Sequence, residues 1–185
     1  MMKAPGVLAL VATLLAGAPV ASRAQDFYAG KTIHFYIGYS PGGGYDLYSR
    51  LVARHIVKHL PGKPSPVPQN MPGAGSMTAL NYLYNVAPKD GTVLGVTSQS
   101  VPLDQAFAQA GIRYDATRFN WIGNPNADNN VLAVWHTVPV RTIDDARKVE
   151  VAVGATGYNT SSQYPTVLNA IAGTKFKVIY GYPGG

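Results

Sequence analysis

Apolar residues along this chain alternate between two spacings. Residues 31–39 (Lys-Thr-Ile-His-Phe-Tyr-Ile-Gly-Tyr) form a β-branched and aromatic run, too short for a helix, that closes on a glycine cluster and predicts a buried strand. Over 46–60, Leu47, Leu51, Val52, Ile56 and Leu60 recur at helical spacing, while Arg50, Arg54 and Lys58 repeat at i, i+4 on another face. Pro61-Gly62 stops this helix. The same reading predicts a strand over 65–70, a helix over 76–86, a turn at 88–91 and a strand over 92–98. Further on it predicts a strand end at 119–123, strands over 131–135, 149–154 and 177–180, and helices over 143–148 and 161–172.

Strands that alternate with helices at this spacing imply an α/β fold of parallel βαβ units, with right-handed crossovers covering both faces of the sheet. The polar stretch 124–130 (Asn-Pro-Asn-Ala-Asp-Asn-Asn) is read as a crossing between lobes, dividing a first α/β lobe at 25–123 from a partial second at 124–185. In open parallel sheets, ligands collect beyond the carboxyl ends of the strands. Three glycine-rich loops are expected there. They are Ser40-Pro41-Gly42-Gly43-Gly44-Tyr45-Asp46, Asn70-Met71-Pro72-Gly73-Ala74-Gly75-Ser76 and the run from Gly154 through Thr156, Gly157, Tyr158 and Asn159 to Ser162. Glycine lets a ligand approach the backbone, and the first turn of a following helix offers unpaired N–H groups and a partial positive charge. One such loop is usually only a tight turn; three at equivalent junctions argue for a binding cleft.

Catalytic and metal readings fit less well. Gly38-Tyr39-Ser40-Pro41-Gly42 matches the nucleophile elbow in spacing and in its strand-to-helix setting. The elbow needs the backbone N–H after its serine for the oxyanion hole, and Pro41 has none. No phosphate-loop or dinucleotide fingerprint follows the glycines. His55 and His59 share a helix face without a third ligand, and His34 and His136 stand alone, so structural or solvated histidines are expected. Asp144-Asp145 reads as a helix opening. No catalytic group, metal or cofactor is expected.

Composition and charge sharpen the setting. The 185 residues carry 15 Lys and Arg against 9 Asp and Glu, a net charge of +6, and no cysteine. Residues 1–24 join one lysine, an apolar run over 7–18, a break at Pro19 and a small-residue end at Ala24, the pattern of a cleaved export signal. That run is shorter than the roughly 20 residues a membrane span needs. Cleavage removes Lys3 and Arg23 and leaves 13 basic against 9 acidic residues, a net charge of +4. The remaining positive charges are scattered, so no nucleic-acid surface is expected, and no membrane insertion once the signal is gone. A diffusing periplasmic protein without disulfides is the expected product. Of the 12 tyrosines, Tyr36, Tyr39, Tyr45, Tyr48, Tyr82 and Tyr84 cluster in the first lobe and are expected to pack the sheet, with Tyr39, Tyr45 and Tyr158 beside the glycine loops.

Phe27-Tyr28-Ala29-Gly30-Lys31-Thr32-Ile33, Pro41-Gly42-Gly43-Gly44-Tyr45-Asp46, Asn70-Met71-Pro72-Gly73-Ala74-Gly75, Ala87-Pro88-Lys89-Asp90-Gly91-Thr92 and Phe176-Lys177-Val178-Ile179-Tyr180-Gly181 occur in that order. In this combination the chain resembles the tripartite tricarboxylate transporter receptor family, the Bug-type solute-binding proteins, over residues 27–185. The resemblance implies a two-lobed periplasmic clamshell with parallel-rich sheets that captures a small carboxylate or related solute and passes it to membrane permease subunits. Carried over, the ligand-binding candidates are Tyr39, Pro41, Gly42, Gly43, Gly44 and Asp46 on the first loop and Asn70, Gly73, Ala74, Gly75 and Ser76 on the second. Ser98 joins them at the third strand end, and Thr156, Gly157, Tyr158 and Ser161 on the closing lobe. Asp46 is expected either to cap its helix or to accept from an amine or hydroxyl of the ligand. Family members continue well beyond Tyr180, so the second lobe is expected to be incomplete in this chain and the sequence a fragment. The alternatives are a secreted serine hydrolase using Ser40 and a periplasmic sensor module for a kinase.

Overall fold

A computed structural model describes residues 27–127 and 129–182. The expected export signal at 1–24 lies outside the described residues. Strand β1 (Thr32–Ile37) is central in a three-stranded sheet, flanked by β2 (Ser65–Asn70) and β3 (Val93–Val96) in the order β2-β1-β3. Both pairings are parallel, with Thr32 opposite Ser65 and His34 opposite Val93. Helix α1 (Gly44–Ile56), extended by a 3₁₀ turn at Val57–His59, links β1 to β2, and α2 (Met77–Asn85) links β2 to β3. This is the parallel βαβ arrangement that the alternating spacings imply.

Period-two burial explains β1: Ile33, Phe35 and Ile37 are buried while Thr32, His34 and Tyr36 are half-buried. Ile33 and Phe35 pack with Ala53 of α1, and Tyr28, Ile56, Leu60 and Leu94 close round them. The prolines of β2 follow the same alternation. Ser65 N–H donates to Lys31 O and Met71 N–H to Ile37 O, so Pro66 and Pro68 face the free edge, where a missing N–H blunts the strand against further pairing. A second core joins Met77, Leu80, Val101, Tyr114 and Ala116.

A separate two-stranded parallel sheet pairs β4 (Val151–Ala155) with β5 (Phe176–Tyr180), Val151 opposite Phe176. Helix α5 (Thr160–Ala172) connects these strands and ends on Gly173 in the left-handed conformation. Helix α4 (Ile143–Lys148) precedes them; Thr142 and Asp145 close its first turn as a capping box, so the acidic pair does open a helix. Val140, Ala146, Val151, Val153 and Phe176 form the core of this second lobe.

Two differences from the sequence reading stand out. Helix α3 (Val101–Ala106) forms where none was expected, with Pro102 in its first turn. Residues 119–123 and 131–135 form no strand, and Trp121, Ile122, Val131 and Trp135 are exposed. Among the described residues no strand pairs with either segment, and β propensity yields a strand only with a neighbour to pack against.

Candidate functional site

The three glycine loops leave the carboxyl ends of β1, β2 and β4, and they meet. Between them lies a cavity of about 50 Å³ lined by Gly38, Tyr39, Ser40, Pro72, Gly73, Gly75, Thr156 and Tyr182. Both lobes therefore contribute, the first through two loops and the second through Thr156 and Tyr182.

The first loop is shaped by charge. Asp46, 6% exposed, accepts at Oδ2 from Gly42 N–H (3.0 Å) and at Oδ1 from Arg50 Nε (2.9 Å) and Asn70 Nδ2 (2.8 Å). Arg50 Nη2 also donates to Asn70 Oδ1 at 2.8 Å, and Asn70 Nδ2 to Tyr39 O at 2.9 Å. The hydrogen bond from Arg50, with those from Gly42 and Asn70, overrides burial and holds the Asp46 carboxyl down at about 2. Asp46 thus spends both oxygens on the loop and on the end of β2. It does not cap the helix as expected: the N-cap of α1 is Gly43, without a side-chain cap, and Asp46 instead braces the loop ahead of it. Gly42 N–H is spent with it, and Gly43 and Gly44 serve as N-cap and first residue of α1.

The second loop is strained. Gly73, Ala74, Gly75 and Ser76 have φ of 139°, 47°, 65° and 78°. Left-handed Ala and Ser are uncommon and persist where surroundings impose them. Ser76, fully buried, accepts at Oγ from Ser98 N–H at 2.9 Å.

The third loop is neutral. Asn159 Oδ1 accepts from Ser161 N–H (3.0 Å) and Ser161 Oγ (2.6 Å), and its Nδ2 donates to Thr156 Oγ1 (2.9 Å). Ser162 completes a capping box with Asn159. The lobes touch backbone to backbone here. A Cβ on Gly157 would lie 2.6 Å from Gly75 N, and one on Gly75 would lie 2.7 Å from Tyr158 O, so no larger residue fits at either position. Asn159 Nδ2 also reaches Tyr39 Oη at 3.5 Å. The Tyr39 ring stacks on Tyr45 with centroids 4.3 Å apart, and burial pushes its phenol up to about 12, so it stays neutral.

Of the sequence candidates, Tyr39, Gly73, Gly75 and Thr156 line the cavity. Pro41, Gly42, Gly43, Gly44, Asp46, Asn70, Ala74, Ser76, Ser98, Gly157, Tyr158 and Ser161 stand behind it as loop or support. Gly38, Ser40, Pro72 and Tyr182 line it without having been named as ligand-binding candidates. Gly38, Ser40 and Pro72 sit within or beside the glycine motifs, so proximity was the available signal. Tyr182 had none: its N–H donates to Ala155 O at 3.2 Å and its ring covers Gly154.

The lining offers hydroxyls and backbone and no charged side chain, chemistry suited to one polar end of a small solute. His55 and His59 are exposed, and among the described residues no group of three His, Asp or Glu side chains is placed to hold a metal ion. Among those residues no helix is long and apolar enough to cross a membrane.

No family model and no curated protein matches the chain. A solved structure, "R. palustris Rpa4515 with adipate", matches with a TM-score of 0.58 at 18% identity, over 83% of this chain and 53% of that one. The likeness establishes the α/β fold with parallel sheets, of the periplasmic-binding-protein kind. The chain spans about half the length of that protein.

Proposed function

We propose that this chain is an extracytoplasmic receptor that binds a small carboxylate-type solute and delivers it to a membrane transporter of the tripartite tricarboxylate type, without a catalytic step. The observation that carries the reading is the convergence of three strand-end loops from two lobes on one uncharged polar cavity. The adipate that accompanies Rpa4515 in the matching structure supports a carboxylate as the ligand class. The receptor family that the glycine motifs resemble supports the same class and the permease partner, and the signal pattern at 1–24 supports a periplasmic location.

A carboxylate seated there would meet hydroxyl and N–H donors rather than a cation, each worth about 1.5–3 kcal/mol to a charged group. Thermal denaturation of the full chain with adipate and with shorter and longer mono- and dicarboxylates tests this. A hundredfold excess over Kd stabilises by about 2.7 kcal/mol, which raises Tm by roughly 5–10 °C in a chain of this size. Silence across the whole series, with esterase activity that Ser40→Ala abolishes, would replace the receptor by the hydrolase.

A further inference from the structure

Asp104 sits where the two lobes meet. It lies on α3 and is 4% exposed, as is Gln163 of α5. Asp104 Oδ1 accepts from Gln163 Nε2 at 2.5 Å, and Oδ2 accepts from Ser100 Oγ at 3.3 Å. Gln163 Oε1 and Tyr114 Oη are buried without partners. Among the described residues Asp104 joins no ion pair. A buried carboxylate offered only neutral donors is costly while ionised.

Ser100 continues inward. Its Oγ lies 2.7 Å from Ser98 Oγ, where either oxygen can donate. Asp104, Ser100 and Ser98 thus form a hydrogen-bonded row that starts at the lobe interface.

We propose that Asp104 is a proton-operated latch that couples solute capture to uptake of one proton. With the carboxylate ionised, Ser100 donates to Asp104 and Ser98 to Ser100, so both hydroxyls point toward Asp104. When a solvent proton adds to Oδ2, the acid O–H donates to Ser100 and Ser100 donates to Ser98. Oδ1 keeps its bond from Gln163, no existing hydrogen bond is lost, and the buried charge is gone.

Burial pushes the Asp104 carboxyl above its ordinary value, outweighing the donors Gln163 and Ser100, which pull it down. The titratable groups facing it are Tyr39, from the end of β1, and Tyr114, from the segment after α3. Burial holds both at about 12, so they stay neutral while Asp104 titrates. A carboxyl raised by closure makes closure take up a proton. The gain is complete below the ordinary Asp value of about 3.9 and is lost as pH rises through the raised value.

The consequence for capture rests on the receptor reading above, whereas the latch is measurable without solute. The chain has no cysteine, so Lys58→Cys and Ile171→Cys place one spin label on each lobe. Without solute, the short-distance population should grow as pH falls, and Asp104→Asn should abolish that dependence. With adipate as the probe, calorimetry in buffers of different ionisation enthalpy should show proton uptake that Asp104→Asn removes and Ser100→Ala diminishes. If Asp104→Asn does not fold, the Ser100→Ala comparison decides. A distance profile that is flat in the parent or unchanged in the variant overturns the latch, as does adipate binding without proton uptake. If adipate does not bind, the carboxylate series decides the receptor reading and the distance profile alone decides the latch.

Discussion

The loop after β1 and the loop after β4 occupy equivalent places at the ends of parallel strands, yet opposite chemistry holds them. Around Asp46 an ion pair, a loop N–H and an asparagine amide lock the first loop to β2 within its own lobe. Around Asn159 only neutral groups act, almost all within the third loop itself. Charge in the first lobe makes shape and is used up there, which leaves the cavity wall uncharged. The third loop meets the first lobe through bare glycine backbone and one long hydrogen bond, contacts that part without stranding a charge. One loop is built to stay and the other to separate.

The sharpest way to break that contrast is Asp46→Ala. It leaves Gly42 N–H and one Asn70 amide hydrogen short of an acceptor and Arg50 without its ion-pair partner, though still bonded to Asn70 Oδ1. Losing one partner of a buried pair costs about 3–5 kcal/mol, but Arg50 is 41% exposed and solvent screens it. We expect a loss of about 2–3 kcal/mol, read as a fall in Tm of roughly 5–10 °C. Because the folded carboxyl is held at about 2, its stabilisation is present above the ordinary value of about 3.9 and disappears as pH falls through the folded one. Stability should therefore decline over that interval in the parent and be flatter in Asp46→Asn. A loss no larger than that of the Asn159 variant below would erase the contrast.

Next in size is Gly75→Ala. Its φ of 65° costs a non-glycine residue roughly 1–2 kcal/mol, and the new Cβ meets Tyr158 O. Opening relieves the collision, so stability should fall by only about that conformational cost while adipate affinity falls by roughly 5- to 150-fold, from roughly 1–3 kcal/mol of overpacking on closure. Equal losses in stability and affinity would mean that the lobes do not separate at this contact. Asn159→Ala follows: removing a helix cap costs about 1 kcal/mol, and urea denaturation should show it without a change in the Asp46 network.

Much of this arrangement was legible in the sequence because its cause is local. β2 was placed over 65–70 and α4 over 143–148, where the observed elements lie, since Pro61-Gly62 stops the helix before β2 and Asp144-Asp145 reads as a helix opening. The glycine loops were legible as junctions because each follows an apolar run. Nothing local foretold α3, whose Val-Pro-Leu-Asp-Gln-Ala is too short for a period and carries a proline. Nor did local pattern show that residues 131–135 lack a strand to pair with, or that Asp104 meets Gln163 59 positions away. Asp46 was recognised but its role was left open, because Arg50 at i+4 reads equally well as a solvated helix face.

The smallest effect discriminates most finely. Tyr39→Phe removes the hydroxyl that Asn159 reaches from the other lobe at 3.5 Å, at the outer limit for a hydrogen bond. Asn159 Nδ2 retains Thr156 Oγ1, and Ser98 Oγ retains Ser100 Oγ, so the change leaves neither group without a partner. The ring keeps its stack on Tyr45. Stability in urea should therefore fall by less than about 0.5 kcal/mol, below the 0.5–1.5 of an ordinary internal hydrogen bond. Adipate binding should weaken by more than that, because Tyr39 lines the cavity. A stability loss above about 1.5 kcal/mol would show that a polar clasp, and not glycine shape, holds the third loop against the first lobe.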